Sequence, residues 1–120
     1  MDQTQIIIIA AIIIFFLLKR LGQVSPKKAR ELKAAGAVII DVRTTEEFAG
    51  GHVAGAVNVP LDQLGEKIES VVPDRQQPVL IYCLSGTRSA LARRILLSKN
   101  YCEIHNLGSI YRARSILTGH

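Results

Sequence analysis

The chain has no tryptophan, a single methionine and only two cysteines, Cys83 and Cys102, and aromatic residues make up 5% of its 120 positions. Two cysteines without a Cys-x-x-Cys pair or a Cys/His cluster suggest neither a metal centre nor a disulfide framework. His52, His105 and His120 stand alone and are not read as metal ligands, and no cofactor is indicated. The chain also has no internal repeat, and no low-complexity segment beyond one isoleucine-rich run near its start.

An excess of basic charge on the folded part is missing too. The formal net charge is +5, but Lys19, Arg20, Lys27, Lys28, Arg30 and Lys33 face only Glu31 in the segment after the apolar run. From Ala34 onward nine basic residues meet eight acidic ones, about +1. A nucleic-acid partner is therefore not expected, because a binder of phosphates carries its surplus on the folded face that meets them. The length suits one domain with one core.

What the sequence does have at its start is Ile6–Leu18, thirteen apolar residues without interruption, followed by Lys19-Arg20. At helical rise the run covers roughly 20 Å, short of a hydrocarbon core of about 30 Å. Asp2 before the run and Lys-Arg-Leu-Gly-Gln after it reverse the charge order of a signal peptide. With Thr4, Gln5 and Leu21 extending the helix and Lys19 and Arg20 reaching to the headgroups, residues 1–21 are expected to form a single transmembrane anchor. The positive-inside rule then places the N-terminus outside and the rest of the chain at the cytoplasmic face of the cell (inner) membrane, where cysteines stay reduced. Residues 22–25 read as a linker and 26–120 as the folded domain.

The domain alternates helices and short strands. Ser25-Pro26 starts a helix that Gly36 ends. Ala37–Val42 reads as a buried strand, Thr44 and Glu47 form a capping box for a short helix to Ala49, and Ala56–Val59 is a second strand closed by Pro60. Leu61, Leu64 and Ile68 fall at helical spacing up to Pro73. Val79–Tyr82 is a third strand, a helix follows to about Lys99 with Ala90, Leu91, Ile95 and Leu96 on one side, and Glu103–Leu107 precedes a last helix through Leu117. This alternation predicts an α/β domain with a largely parallel central sheet flanked by helices. Arg93-Arg94 and Arg112-x-Arg114 read as solvated helix faces, and Cys102 as a core residue with a resolving thiol as the alternative.

Ligands in such folds sit at the carboxyl ends of strands. Asp41 with Arg43, and Cys83 with its loop, fall at two such ends, and a connection carrying His52 passes the same rim. Cys83 leaves a strand, turns through Leu84-Ser85-Gly86-Thr87 and enters a helix at Arg88-Ser89. A thiolate in front of a helix N-terminus is favoured by unpaired N–H groups and by the dipole, whereas an ordinary thiol with pKa near 8.5 is mostly protonated. No histidine is close in sequence. Activation is therefore expected from the N–H groups of residues 84–89 and from Arg88, with Gly86 permitting the turn and Ser85 and Thr87 donating to sulfur or oxygen. Asp41, Arg43 and His52 read as supporting, structural residues, Asp41 and Arg43 either holding the loop or pairing with Glu47 or Arg88.

Three stretches carry a resemblance to a known family: Asp41-Val42-Arg43-Thr44-Thr45-Glu46-Glu47-Phe48, Gly51-His52-Val53-Ala54-Gly55-Ala56-Val57-Asn58-Val59-Pro60, and Tyr82-Cys83-Leu84-Ser85-Gly86-Thr87-Arg88-Ser89. In this order they resemble the single-domain rhodanese sulfurtransferases, over roughly 25–117. The resemblance implies that Cys83 takes the outer sulfur of a small sulfur-containing anion or persulfide donor, carries it as a persulfide, and passes it to a thiol or cyanide-like acceptor. Phosphatases and arsenate reductases of the same fold use a cysteine-to-arginine loop one residue longer; here four residues separate Cys83 from Arg88, and Tyr82 stands where cysteine phosphatases usually place histidine. Two departures matter. Leu84 occupies a position where many thiosulfate-using members have arginine, and Gly108-Ser109-Ile110-Tyr111 replaces a Gly-Gly-Ile segment followed by tryptophan. A second functional class stays open, a catalytically weak binding or regulatory module at the membrane, and the oligomeric state is not readable.

Overall fold

The computed structural model describes residues 2–118; the side chains of residues 19–21, and hence the expected reach of Lys19 and Arg20, lie outside the described residues, as does His120. Four parallel strands, β1 (Val38–Asp41), β2 (Val57–Asn58), β3 (Val79–Cys83) and β4 (Ile104–Ser109), form one sheet in the order β2-β1-β3-β4. Among the described residues six α-helices accompany them, α1 (Gln3–Leu21), α2 (Pro26–Ala34), α3 (Thr45–Ala49), α4 (Leu64–Val71), α5 (Thr87–Ser98) and α6 (Ile110–Leu117), with a 3-10 turn over Leu61–Gln63 leading into α4. The α/β class with a parallel sheet flanked by helices is as expected.

β3 is central and buried at every position, so its twofold alternation splits the core into two layers. Val79, Ile81 and Cys83 face one side, where Leu64 and Ile68 of α4 and Ala92 and Leu96 of α5 close the layer. Leu80 and Tyr82 face the other, against Ala29 and Leu32 of α2 and Ala113, Ile116 and Leu117 of α6. The Tyr82 hydroxyl accepts the Val53 N–H at 3.0 Å, and burial pushes its phenol up to about 12. Cys83 thus ends a strand whose direction is fixed from both faces.

The helix starts follow their residues. Ser25 accepts the Lys28 N–H at 3.2 Å, and Thr44 and Glu47 complete a reciprocal capping box. Residues 22–25 are not slack where Val24 is concerned: it packs in the second core layer, donates to the Asn106 carbonyl at 2.8 Å and accepts from Arg112 at 2.6 Å.

Four expectations need correction. The transmembrane anchor is not supported: α1 forms, but among the described residues no helix is long and apolar enough to cross a membrane. Its uninterrupted apolar run is about 20 Å long against roughly 30 Å of hydrocarbon. Cys102 is exposed rather than core, because β4 begins two residues after it, at Ile104. The buried face of α5 is Ser89, Ala92 and Leu96, while Ala90 and Leu91 point outward. Arg93 and Arg112 are not merely solvated; Arg93 donates to the Ile104 carbonyl at 2.8 Å and Arg112 to the Leu107 carbonyl at 2.7 Å.

Candidate active site

Cys83 closes β3 at 1% exposure, and the chain then turns sharply into α5. The turn depends on Gly86, which holds φ +98° in the left-handed region that side chains disfavour. This conformation directs the Gly86 N–H at the Cys83 sulfur, 2.9 Å away, and the Ser89 N–H follows at 3.4 Å. The Ser89 hydroxyl lies 3.5 Å from the same sulfur and donates to the Gly86 carbonyl at 3.1 Å. Two backbone donors at the first turn of a twelve-residue helix favour negative charge on sulfur.

The other loop hydroxyls do something different from what was expected. Ser85 and Thr87 are exposed and sit 3.5 Å from each other, without a hydrogen bond to the sulfur. Ser89 is the loop hydroxyl that lies against the sulfur, because its phase on α5 turns it inward, but its proton goes to the Gly86 carbonyl and only its backbone N–H donates to the sulfur. Leu84 is exposed at 43% and offers no charge at the mouth of the loop.

Arg88 forms a two-pronged ion pair with Glu47, at 2.7 and 3.0 Å. The pair ties α3 to α5 and raises the Arg88 pKa, with Glu47 the main cause and Cys83 a smaller one. Glu47 also accepts the Thr44 N–H at 3.0 Å. The Arg88 hydrogen bond, followed by that of Thr44, holds the Glu47 carboxyl at about 2, below its ordinary 4.5. A carboxyl depressed in the folded state contributes stability that is complete above the unfolded value and is lost as pH falls through the folded one. Comparison of wild type with Glu47→Gln by urea unfolding is expected to show a wild-type advantage above about pH 4.5 that disappears as pH falls to about 2.

Asp41 and Arg43 pair with each other, not with Glu47 or Arg88. Arg43 Nη2 donates to Asp41 Oδ2 at 2.7 Å and to the Gly51 carbonyl at 2.7 Å, with the side chains 6% and 0% exposed. Asn58 donates to the carbonyls of both Asp41 and Arg43 at 3.0 Å. This buried knot fixes the ends of β1 and β2 beside β3. His52 is exposed, stacked on Phe48 at 3.7 Å between ring centres, with Nδ1 3.0 Å from the Phe48 carbonyl. Its contacts are with α3 and not with the sulfur. Among the described residues no His/Cys/Asp/Glu group is arranged to hold a metal ion.

Gln23 was not singled out by sequence. Its side chain covers the loop: a methyl group placed on Gly108 would meet Gln23 atoms at 2.7 and 2.8 Å, and one placed on Gly86 would meet Gln23 Nε2 at 3.2 Å. Both glycines are therefore in close approach to a side chain from the segment before α2. Nothing in the local sequence around Gln23 signals this, since the contact spans the fold.

A parallel α/β sheet that presents a buried cysteine to the N–H groups of a helix start is a geometry suited to a sulfur nucleophile. Comparison with known proteins narrows the class. The rhodanese-like domain family matches residues 25–112. Thiosulfate sulfurtransferase PspE of Escherichia coli is 39% identical over 59% of this chain and 68% of its own. Protein YqhL of Bacillus subtilis is 37% identical over 85% of this chain and 83% of its own. Among solved structures, a rhodanese with anions from E. coli superposes with TM-score 0.63 at 36% identity, covering 64% of this chain and 91% of that one. The human single-domain sulfurtransferase TSTD1 gives 0.65 at 28%, covering 76% and 92%. The chain belongs to the rhodanese-like domain family, and it is a sulfurtransferase.

Proposed function

We propose that Cys83 is the sulfur carrier of this enzyme. The single observation that supports this best is the pair of N–H groups, from Gly86 and Ser89, on its sulfur. The Cys83 thiolate attacks the outer sulfur of a thiosulfate-like, polysulfide or persulfide donor; the donor's sulfur–sulfur bond breaks and its electron pair leaves with the remaining fragment. The resulting persulfide anion is held by the same donors that held the thiolate. A thiophilic acceptor, a thiol or cyanide, then attacks the outer sulfur and the Cys83 thiolate departs. No oxidant is consumed.

Arg88 and Glu47 brace the loop in this reading, and Asp41 and Arg43 brace the strand ends beneath it. The folded domain is taken as residues 26–120, and a cytoplasmic location belongs to the same proposal. The support for that location is that Cys83 and Cys102 are both free, as cysteines are in a reducing compartment. The test is formation of thiocyanate from cyanide with thiosulfate or a persulfide as donor. Wild type is expected to turn over and Cys83→Ser to fall to the uncatalysed rate with unchanged circular dichroism. Turnover that survives Cys83→Ser would overturn the assignment.

A further inference from the structure

The Cys83 loop rests on the edge strand β4, and that strand is irregular at the point of contact. Ile81 pairs with Asn106 and Tyr82 with Gly108, so Leu107 is an extra residue that bulges β4 beside the loop. Past the bulge, Ser109 pairs with Cys83 and forms a bridge with Ser85. Gly108, at φ +89°, lies against Gly86: a methyl group placed on Gly86 would meet the Gly108 α-carbon at 3.3 Å.

The bulge is tied to the chain before α2. Asn106, 4% exposed, accepts the Gly108 N–H on its side-chain oxygen and the Val24 N–H on its carbonyl, both at 2.8 Å. Arg112 spans the same two segments, donating to the carbonyls of Leu107 and Val24 at 2.7 and 2.6 Å. Val24 is thereby fixed on β4 and holds its neighbour Gln23 over the two glycines. Gln23 Nε2 would stand 2.7 Å from a methyl group on Gly108 and 3.2 Å from one on Gly86, so its side chain fills the space that both residues leave.

We infer that Gln23 is a positioning residue for sulfur transfer: packed on Gly86 and Gly108, it keeps the Gly86 N–H aimed at the Cys83 sulfur. The inference rests on the sulfur-carrier role of Cys83. A glycine reaches the left-handed turn without strain, but the same freedom lets it leave unless its surroundings hold it. The Ser89 hydroxyl holds the Gly86 carbonyl at 3.1 Å, and Gln23 bears on the α-carbon between that carbonyl and the N–H. Donors aimed at a reacting atom act only as well as the shell behind them is packed, and a misplacement of about 1 Å can cost about 100-fold.

The test uses the full chain and the variants Gln23→Ala and Gln23→Met. Gln23 is half-buried and belongs to neither core layer, so both variants keep the fold. Iodoacetamide alkylation is followed against pH at Cys83 and, in the same chain, at the exposed Cys102. In Gln23→Ala the midpoint of the Cys83 profile is expected to move to higher pH while that of Cys102 stays, and sulfur transfer is expected to fall roughly 10-fold, a partial misplacement. Gln23→Met fills the same space without the amide and is expected to keep transfer within about twofold of wild type, with the Cys83 midpoint in place. An unmoved Cys83 midpoint in Gln23→Ala would overturn the positioning role, and so would a loss in Gln23→Met as large as in Gln23→Ala. Wild type that transfers sulfur without loading Cys83 would instead overturn the carrier role on which the inference rests.

Discussion

Arg43→Met is expected to lower the unfolding free energy by about 3–5 kcal/mol, read from urea unfolding. The physical reason is Asp41, whose side chain is fully buried and whose carboxylate receives three of its hydrogen bonds from the Arg43 guanidinium. Without Arg43 the carboxylate keeps the Arg43-position backbone N–H at 2.9 Å but loses its counter-charge in a site water does not reach. Against a typical total of about 5–15 kcal/mol, that loss endangers the fold itself. Arg43→Lys restores charge without the planar fork and is expected to recover only part of it. A loss below about 1 kcal/mol in Arg43→Met, the range of a surface ion pair, would mean that the knot at the ends of β1 and β2 does not hold the domain together.

Gly86→Ala is expected to reduce sulfur transfer on the order of 100-fold, by analogy with the removal of one preorganised N–H donor from a site of developing negative charge. Two effects act together. Alanine at φ +98° is strained by about 1–3 kcal/mol, and its methyl group would sit 3.2 Å from Gln23 Nε2 and 3.3 Å from the Gly108 α-carbon. The loop must shift, and its N–H leaves the Cys83 sulfur. The domain stays folded, because its two core layers do not involve the Gly86 conformation. Transfer rates within about twofold of wild type would show that the N–H of Gly86 does not support the reacting sulfur.

The parallel sheet and the position of the sulfur were legible in the sequence, since Val38–Asp41 and Val79–Cys83 are short β-branched runs whose ends coincide with the chemistry. The caps at Ser25 and Thr44 were legible for the same reason: the hydrogen bonds that make them span three residues. What was hidden is set by distance along the chain or by helical phase. Pairing of Arg88 with Glu47 bridges 41 positions, and Arg112 reaches Val24 across 88. The choice between Ser85, Thr87 and Ser89 as the inward hydroxyl turned on where α5 begins. Cys102 was misplaced because the Tyr101-Cys102 pair ahead of β4 does not say which of the two turns inward: Tyr101 is buried and Cys102 exposed. The length of the apolar run in α1 was likewise legible in the sequence, and among the described residues no helix is long and apolar enough to cross a membrane.

The central claim is that Cys83 carries the transferred sulfur. Its most direct test is the intact mass of the full chain after brief treatment with a stoichiometric sulfane donor, followed by peptide mapping. The account predicts a gain of one sulfur atom on Cys83, none on the exposed Cys102, and its removal by cyanide. A gain confined to Cys102, or a chain that turns over donor and acceptor while Cys83 stays unmodified, would contradict it.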